Sequence, residues 1–363
     1  MDPVLINEGW RIFLRRLRIG LCGYPSYEGS SDDICAAIVD RCWNGTYFMT
    51  SAGHFREFWT RDFGLCIDAL LALGHKEKVR STLAYALDRF SRTRLTTTIN
   101  PAGKPFDFPT YAPDSLAFLL RSLARLHDRT LVDHHRPFLE NEIRRFRETV
   151  LDEQGAVRKD REFSSINDHG RRRSSCYDTC MAAIVQRYAR ELGLDAPCET
   201  DYPRLLKQRY WKGDRFISDL GQGLVTGDAN VFPAYCGVCS DAMAKKALAA
   251  IRLLGLDKPM PLKYHAGRTT RGNAYSWLAP GYERHTVWLH LGFAYLDAVA
   301  MHEPHLLKPY LDAYDLFIGK YRNFFEVVDD RLRPYHSLFY ACDDSMLWAA
   351  NFLKLKKLIK HRR

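Results

Sequence analysis

Six times along this chain a long polar loop runs into an apolar helix-forming segment, and that recurrence restricts the fold more than any other feature. Five of the segments open on an aspartate: Asp62 in WTRDFGLCIDAL, Asp114 in YAPDSLAFLL, Asp178 in SCYDTCMAAI, Asp241 in VCSDAMAKKAL and Asp344 in CDDSMLWAANFL. The sixth opens at Thr286 in ERHTVWLHLGFAYL. Successive intervals are 52, 64, 63, 45 and 58 residues, each long enough for a helical hairpin and a sizeable loop.

Between the apolar segments lie wetter ones. Segment 133–150 carries eight charged residues in eighteen, with Phe138, Ile143, Phe146 and Val150 at helical spacing. Segments 32–43, 76–92, 200–211 and 304–321 read the same way, as amphipathic helices with one solvated face. Segment 286–301 has Asp297 as its one acidic or basic residue, so it is apolar all round and belongs in an interior. Alternating buried and half-buried helices fit an all-α fold of two concentric rings, an (α/α)6 toroid with six inner helices. One outer helix, expected within 256–285, is not visible in that Gly-, Pro- and Arg-rich stretch. An open α-solenoid is the rival, but its repeats run about 34–47 residues.

The connections are asymmetric. Gly74-His75, Asp128 to Val132 and Met301 to Glu303 are short links, whereas 44–60, 93–113, 151–176, 212–240, 256–285 and 322–343 are long. Segments LDEQGAVRKD, WKGDRFISDL and VVDDRLRPYH pair turn residues with β-prone residues and predict small hairpins. All six long loops lead into inner helices, so one end of the barrel is built up and is the place to look for chemistry.

No linker or low-complexity run divides the 363 residues, which read as one domain, 1–363, with an N-terminal extension over 1–30 and a basic tail over 354–363. Net charge is +10, with scattered basic residues apart from Arg171, Arg172 and Arg173 and that tail. The arginine run reads as a solvated loop. The ten cysteines read as reduced thiols in a chain showing no signal peptide. No stretch of 18 apolar residues exists, so a membrane span is not expected. The expectation is a cytoplasmic protein with no membrane or nucleic-acid partner; its oligomeric state is not legible.

Acids in the loops are the catalytic shortlist, because glycoside hydrolysis uses two carboxyl groups flanking the bond. They are Asp62, Asp107, Asp114, Asp168, Asp178, Asp228, Glu283, Asp343 and Asp344. The plainer reading of an aspartate at a helix start is a cap. Aromatic residues crowd the same loops, among them Trp59, Tyr111, Tyr235, Trp277, Tyr282, Trp288 and Tyr340, and amphipathic rings beside carboxylates suit a sugar. Cys236-x-x-Cys239 with Cys176 and Cys180 could suggest zinc, but free thiols are the default; no metal or cofactor is expected.

FREFWTRDFGLCIDALLALGHKEKV resembles the Arg-Asp segment opening an inner helix of the six-hairpin glycosidases, a superfamily that includes neutral invertases, trehalases, glucoamylases and glycogen-debranching glucosidases. YAPDSLAFLL resembles their Asp-Ser segment and ERHTVWLHLGFAYL their late Trp-containing segment, in the same order over roughly 30–355. The resemblance implies that Arg61 and Asp62 hold the sugar in the innermost subsite and that Asp114 is the proton donor. The loop 258–282, where the resemblance places a basic Glu, has no acid, so Glu283 is taken as base and Asp344 as second candidate. Trp59, Asp178, Asp228, Trp277, Trp288 and Asp344 complete the expected substrate contacts. The expected function is an inverting glycoside hydrolase acting on a small oligosaccharide. The alternatives are an epimerase or lyase on the same barrel, or a noncatalytic carbohydrate-binding protein.

Overall fold

The computed structural model describes residues 3–108, 110–167, 172–266, 279–283 and 286–361. Helix α1 (Pro3–Cys22) precedes the barrel, and α2 (Ser31–Arg41) begins the outer ring. Ser30 and Asp33 form a reciprocal capping box at the start of α2, satisfying two otherwise orphaned backbone donors.

Inner and outer helices then alternate: α3 (Thr60–Ala72), α4 (Lys76–Ser91), α5 (Asp114–Leu126), and an outer pair α6 (Arg129–His134) and α7 (Arg136–Val150). They continue as α8 (Cys176–Glu191), α9 (Tyr202–Arg209), α10 (Gly227–Tyr235), α11 (Asp241–Leu253), α12 (Leu289–His302), α13 (Leu307–Tyr321) and α14 (Ala349–His361). Burial separates the rings. In α5 every residue except Arg125 is buried, while α4 buries only Val79, Thr82, Leu83, Ala86, Leu87 and Phe90 along one stripe. That stripe is the half-apolar face an outer helix needs.

The ring is closed. Helix α3 packs on α5, α5 on α8, α8 on α10, α10 on α12, and α14 packs back against both α3 and α2. An open solenoid has no such return contact. The basic tail belongs to α14: Lys354 Nζ lies 2.6 Å from Asp297, and Lys356 pairs with both Asp32 and Asp315.

Two expectations are corrected. Asp241 opens an outer helix, not an inner one, because α11 buries only Ala244, Ala247, Leu248, Ala250 and Ile251. The fourth inner helix is α10, nine residues with Pro233 inside, buried from Gly227 to Ala234 and wedged between α8 and α12. The outer helix sought within 256–285 is α11 itself. With Asp228 in place of Asp241 the two middle intervals become 50 and 58 residues, and the repeat is more even.

Small β elements pin the loops at one end. Strands β1 (Phe58–Trp59), β2 (Thr98–Ile99) and β3 (Pro105–Phe106) form an antiparallel sheet in the order β1-β2-β3, with Phe58 opposite Ile99. Strand β4 (Val287–Trp288) pairs with β5 (Val327–Val328), Trp288 opposite Val327. The three predicted hairpins close through Leu151–Val157, Trp211–Phe216 and Val328–Pro334 bridges. All ten cysteines are free thiols. No helix among the described residues is long and apolar enough to cross a membrane.

Candidate active site

The N-terminal ends of the inner helices bring their first-turn side chains together, and a chain of contacts links them around the barrel mouth. Asp114 is the first residue of α5, and the N-cap, Pro113, offers the helix no side-chain cap. Asp114 Oδ2 accepts from Arg61 Nε at 2.6 Å and from the Tyr177 hydroxyl at 2.8 Å. Both donors favour the carboxylate form. Arg61 Nη2 also donates to the Ser165 carbonyl at 2.6 Å, which ties α3 to the loop preceding α8.

Asp178, in the first turn of α8, accepts from Ser165 Oγ at 2.5 Å and Ser175 Oγ at 2.7 Å. Ser175 is also the N-cap of that helix. Burial pushes the Asp178 carboxyl up to about 6, against the pull of Arg172 and the two serines. Asp228, in α10, is fully buried in an ion pair with Arg172. This corrects the reading of the arginine run as solvated: Arg172 is buried, and Arg173 beside it is exposed and pairs with Glu162.

Asp62 accepts from Trp348 Nε1 at 3.0 Å. The Trp348 ring lies 4.7 Å from His290, which lies 5.3 Å from Trp288. Burial and then the nearby Arg61 charge push His290 down to about 3, so it is neutral. Its Nε2 lies 3.4 Å from the Tyr264 hydroxyl, and Nδ1 is buried with no hydrogen-bond partner among the described residues. Trp288 donates from Nε1 to the Tyr282 carbonyl at 3.0 Å. Trp59 stands between Phe55 and Phe108.

The far side of the mouth holds an acid absent from the shortlist. Glu326 sits beside β5, where its backbone carbonyl accepts from Leu289 at the start of α12. Its carboxylate accepts from the hydroxyls of Tyr282 and Tyr340, the latter at 2.6 Å, and from the Asp343 N–H at 2.9 Å. Burial still outweighs these bonds and pushes it up to about 7. Asp343 accepts from the backbone N–H groups of His54 and Phe55, each at 2.9 Å. Asp344 lies in the turn before α14, pushed up by burial and by Asp343 and held down by Arg15. Glu283 is buried in the turn before β4, next to Tyr282. Asp168 and Trp277 lie outside the described residues.

Among the described residues, acids outnumber arginines around this mouth, and tryptophan and tyrosine rings stand beside them. Among the described residues no group of three or more His, Cys, Asp or Glu side chains is placed to hold a metal ion. A separate groove on the outer wall, lined by Arg147, Glu153, Cys198, Glu199 and Arg204 among others, includes none of these groups.

No family model matches the chain, and no curated protein does. Solved structures do. A rhamnosidase from Klebsiella oxytoca with rhamnose bound superposes with a TM-score of 0.63 at 13% identity, over 93% of this chain and 66% of that one. A glycosidase variant in complex with glucose gives 0.61 at 12% identity over 99% of both chains. The GH63 mannosylglycerate hydrolase from Thermus thermophilus gives 0.57 at 14% identity over 90% of this chain and 99% of that one. The closed ring of helical hairpins, its loops gathered at one end, is the fold this chain shares with these solved glycosidases.

Proposed function

We propose that this chain is a glycoside hydrolase acting on a small oligosaccharide or glycoside, with inversion at the anomeric carbon. The observation that carries the reading is a pair of buried carboxyls at the mouth, Asp178 and Glu326, raised to about 6 and about 7. Catalytic acids and bases need values near the working pH. Glu326, the higher, gives its proton to the leaving glycosidic oxygen. Asp178, ionised at neutral pH, takes a proton from the attacking water. Arg61 and Asp62 bind sugar hydroxyls, with Asp114, Asp228 and Asp344 around them, and Trp59 and Trp288 offer apolar faces to the ring; Trp277 is assigned the same role from sequence alone. The sequence-based pair, Asp114 and Glu283, is the competing assignment.

A screen against aryl glycosides, trehalose, sucrose and maltooligosaccharides, with anomers followed by NMR, tests the reaction class. Isomerised or unsaturated sugar as product would instead mark an epimerase or lyase. With a substrate in hand, Asp178→Asn and Glu326→Gln each lower kcat by about 10²–10⁴. Glu326→Gln alone is rescued by a dinitrophenyl leaving group, which needs no proton. Full turnover in either variant, or loss confined to Asp114→Asn and Glu283→Gln, removes Asp178 and Glu326 from the chemistry.

A further inference from the structure

Helix α1 lies on the barrel the wrong way out. Three of its cations face the protein: Arg11 pairs with Glu57, Arg15 with Asp344, and Arg16 Nε donates to the Ser337 carbonyl at 2.9 Å. Four of its apolar residues face solvent. Trp10, Leu14, Leu17 and Leu21 recur at i, i+4, i+7 and i+11, one stripe of a helix, and are 61%, 60%, 49% and 88% exposed. Leu338 and Phe339 of the last long loop extend the patch, with the Phe339 ring 6.2 Å from Phe13. Single exposed leucines such as Leu253 and Leu316 need no explanation, but a contiguous apolar stripe does.

Charge decides what covers it. The exposed Arg18 flanks the stripe and has no acidic partner among the described residues. The whole chain carries +10. A second copy seated on the stripe would bring like charge against like charge. An anionic bilayer surface complements both the cations and the apolar face, and a helix with Trp and Leu on one side and arginines beside them lies in such an interface. We propose that α1 docks this protein on the surface of an anionic membrane, the apolar stripe entering the headgroup region and Arg18 meeting lipid phosphate. The expectation of no membrane partner rested on the lack of a spanning segment; surface docking needs none. The proposal does not depend on the hydrolase reading. Because Arg15 ties α1 to Asp344, docking also sets the barrel mouth close to the lipid.

Sedimentation of the full chain with vesicles of phosphatidylcholine alone, or mixed with one-third phosphatidylserine, tests it. The expected result is partitioning onto the mixed vesicles at least roughly tenfold stronger than onto neutral ones, weakened by about 0.5 M salt. Leu14→Glu with Leu17→Glu, both outward-facing, lowers that partitioning by about tenfold or more while the melting temperature stays put. Arg18→Gln narrows the preference for the anionic vesicles. Absence of binding to the mixed vesicles by the wild-type chain overturns the proposal, as does binding that the double variant retains. Concentration-dependent dimerisation abolished by the same double variant, without vesicle binding, would assign the stripe to a second copy instead.

Discussion

Replacing Gly64 by alanine separates packing from helix propensity in the inner wall. Gly64 lies in α3 one turn beyond Arg61, against Phe118 of α5, which lies one turn beyond Asp114. A Cβ at position 64 would meet the Phe118 ring at 2.7 Å from Cδ1 and 2.8 Å from Cγ, and its Cβ closer still. Carbon atoms prefer about 3.5–4.0 Å, so the two helices must part by roughly 1 Å. Rotation of the Phe118 side chain does not help, since its own Cβ is part of the clash. Overpacking of this kind costs about 1–3 kcal/mol, while glycine to alanine within a helix gains about 1 kcal/mol. The net expectation is a destabilisation of up to about 2 kcal/mol. With a urea dependence of about 3 kcal/mol/M, the unfolding midpoint falls by up to about 0.7 M. Parting α3 from α5 also stretches the Arg61–Asp114 bond, so turnover falls with stability. Urea titration followed by circular dichroism reads the first effect. A higher midpoint, which propensity alone predicts, would show that the α3–α5 contact is not as close as described.

Glu326→Gln changes the pH dependence of stability in a defined window. Burial raises the folded Glu326 from the ordinary 4.5 to about 7, so its contribution is full below about 4.5 and is lost as pH rises through about 7. The wild type therefore loses on the order of 3 kcal/mol relative to the glutamine variant between about pH 4.5 and 8, and parallel melting curves over that range would refute the assignment. Arg15→Met leaves Asp343 and Asp344 adjacent, buried and without their cation, and should cost about 3 kcal/mol at about pH 8 and less in acid, where the carboxyls take up protons. Thermal melts at the two pH values measure it; an equal loss at both would point to lost packing rather than charge.

The barrel was legible because burial imposes a composition. An inner helix touches protein on every side, and WTRDFGLCIDAL, YAPDSLAFLL and ERHTVWLHLGFAYL carry that signature. The fourth inner helix hid because nine residues with an internal proline leave too little periodicity to register, while Asp241 follows Ser240, a true N-cap. Lys245 and Lys246, both exposed, were the sign that this helix was an outer one. Asp114 and Asp178 stood out in the sequence since each opens an apolar run. Glu326 was missed since it sits inside FFEVV, where a lone acid reads as a strand residue. The hydroxyls that satisfy it come from Tyr282 and Tyr340, and only the folded chain brings the former, 44 residues away, within reach.

The seam of the ring has a consequence for biosynthesis. Helices α2 and α3, made early, gain one of their flanking neighbours only when α14 is made late, and Lys356 fastens that joint to Asp32 and Asp315. While the ribosome is still extending the middle hairpins, the nascent arc presents an unsealed greasy flank that includes Ile34, Cys35 and Ile38. The toroid cannot close until its last staves emerge, so the unfinished product is most exposed to aggregation, and to chaperone capture, just before synthesis of that helix is complete.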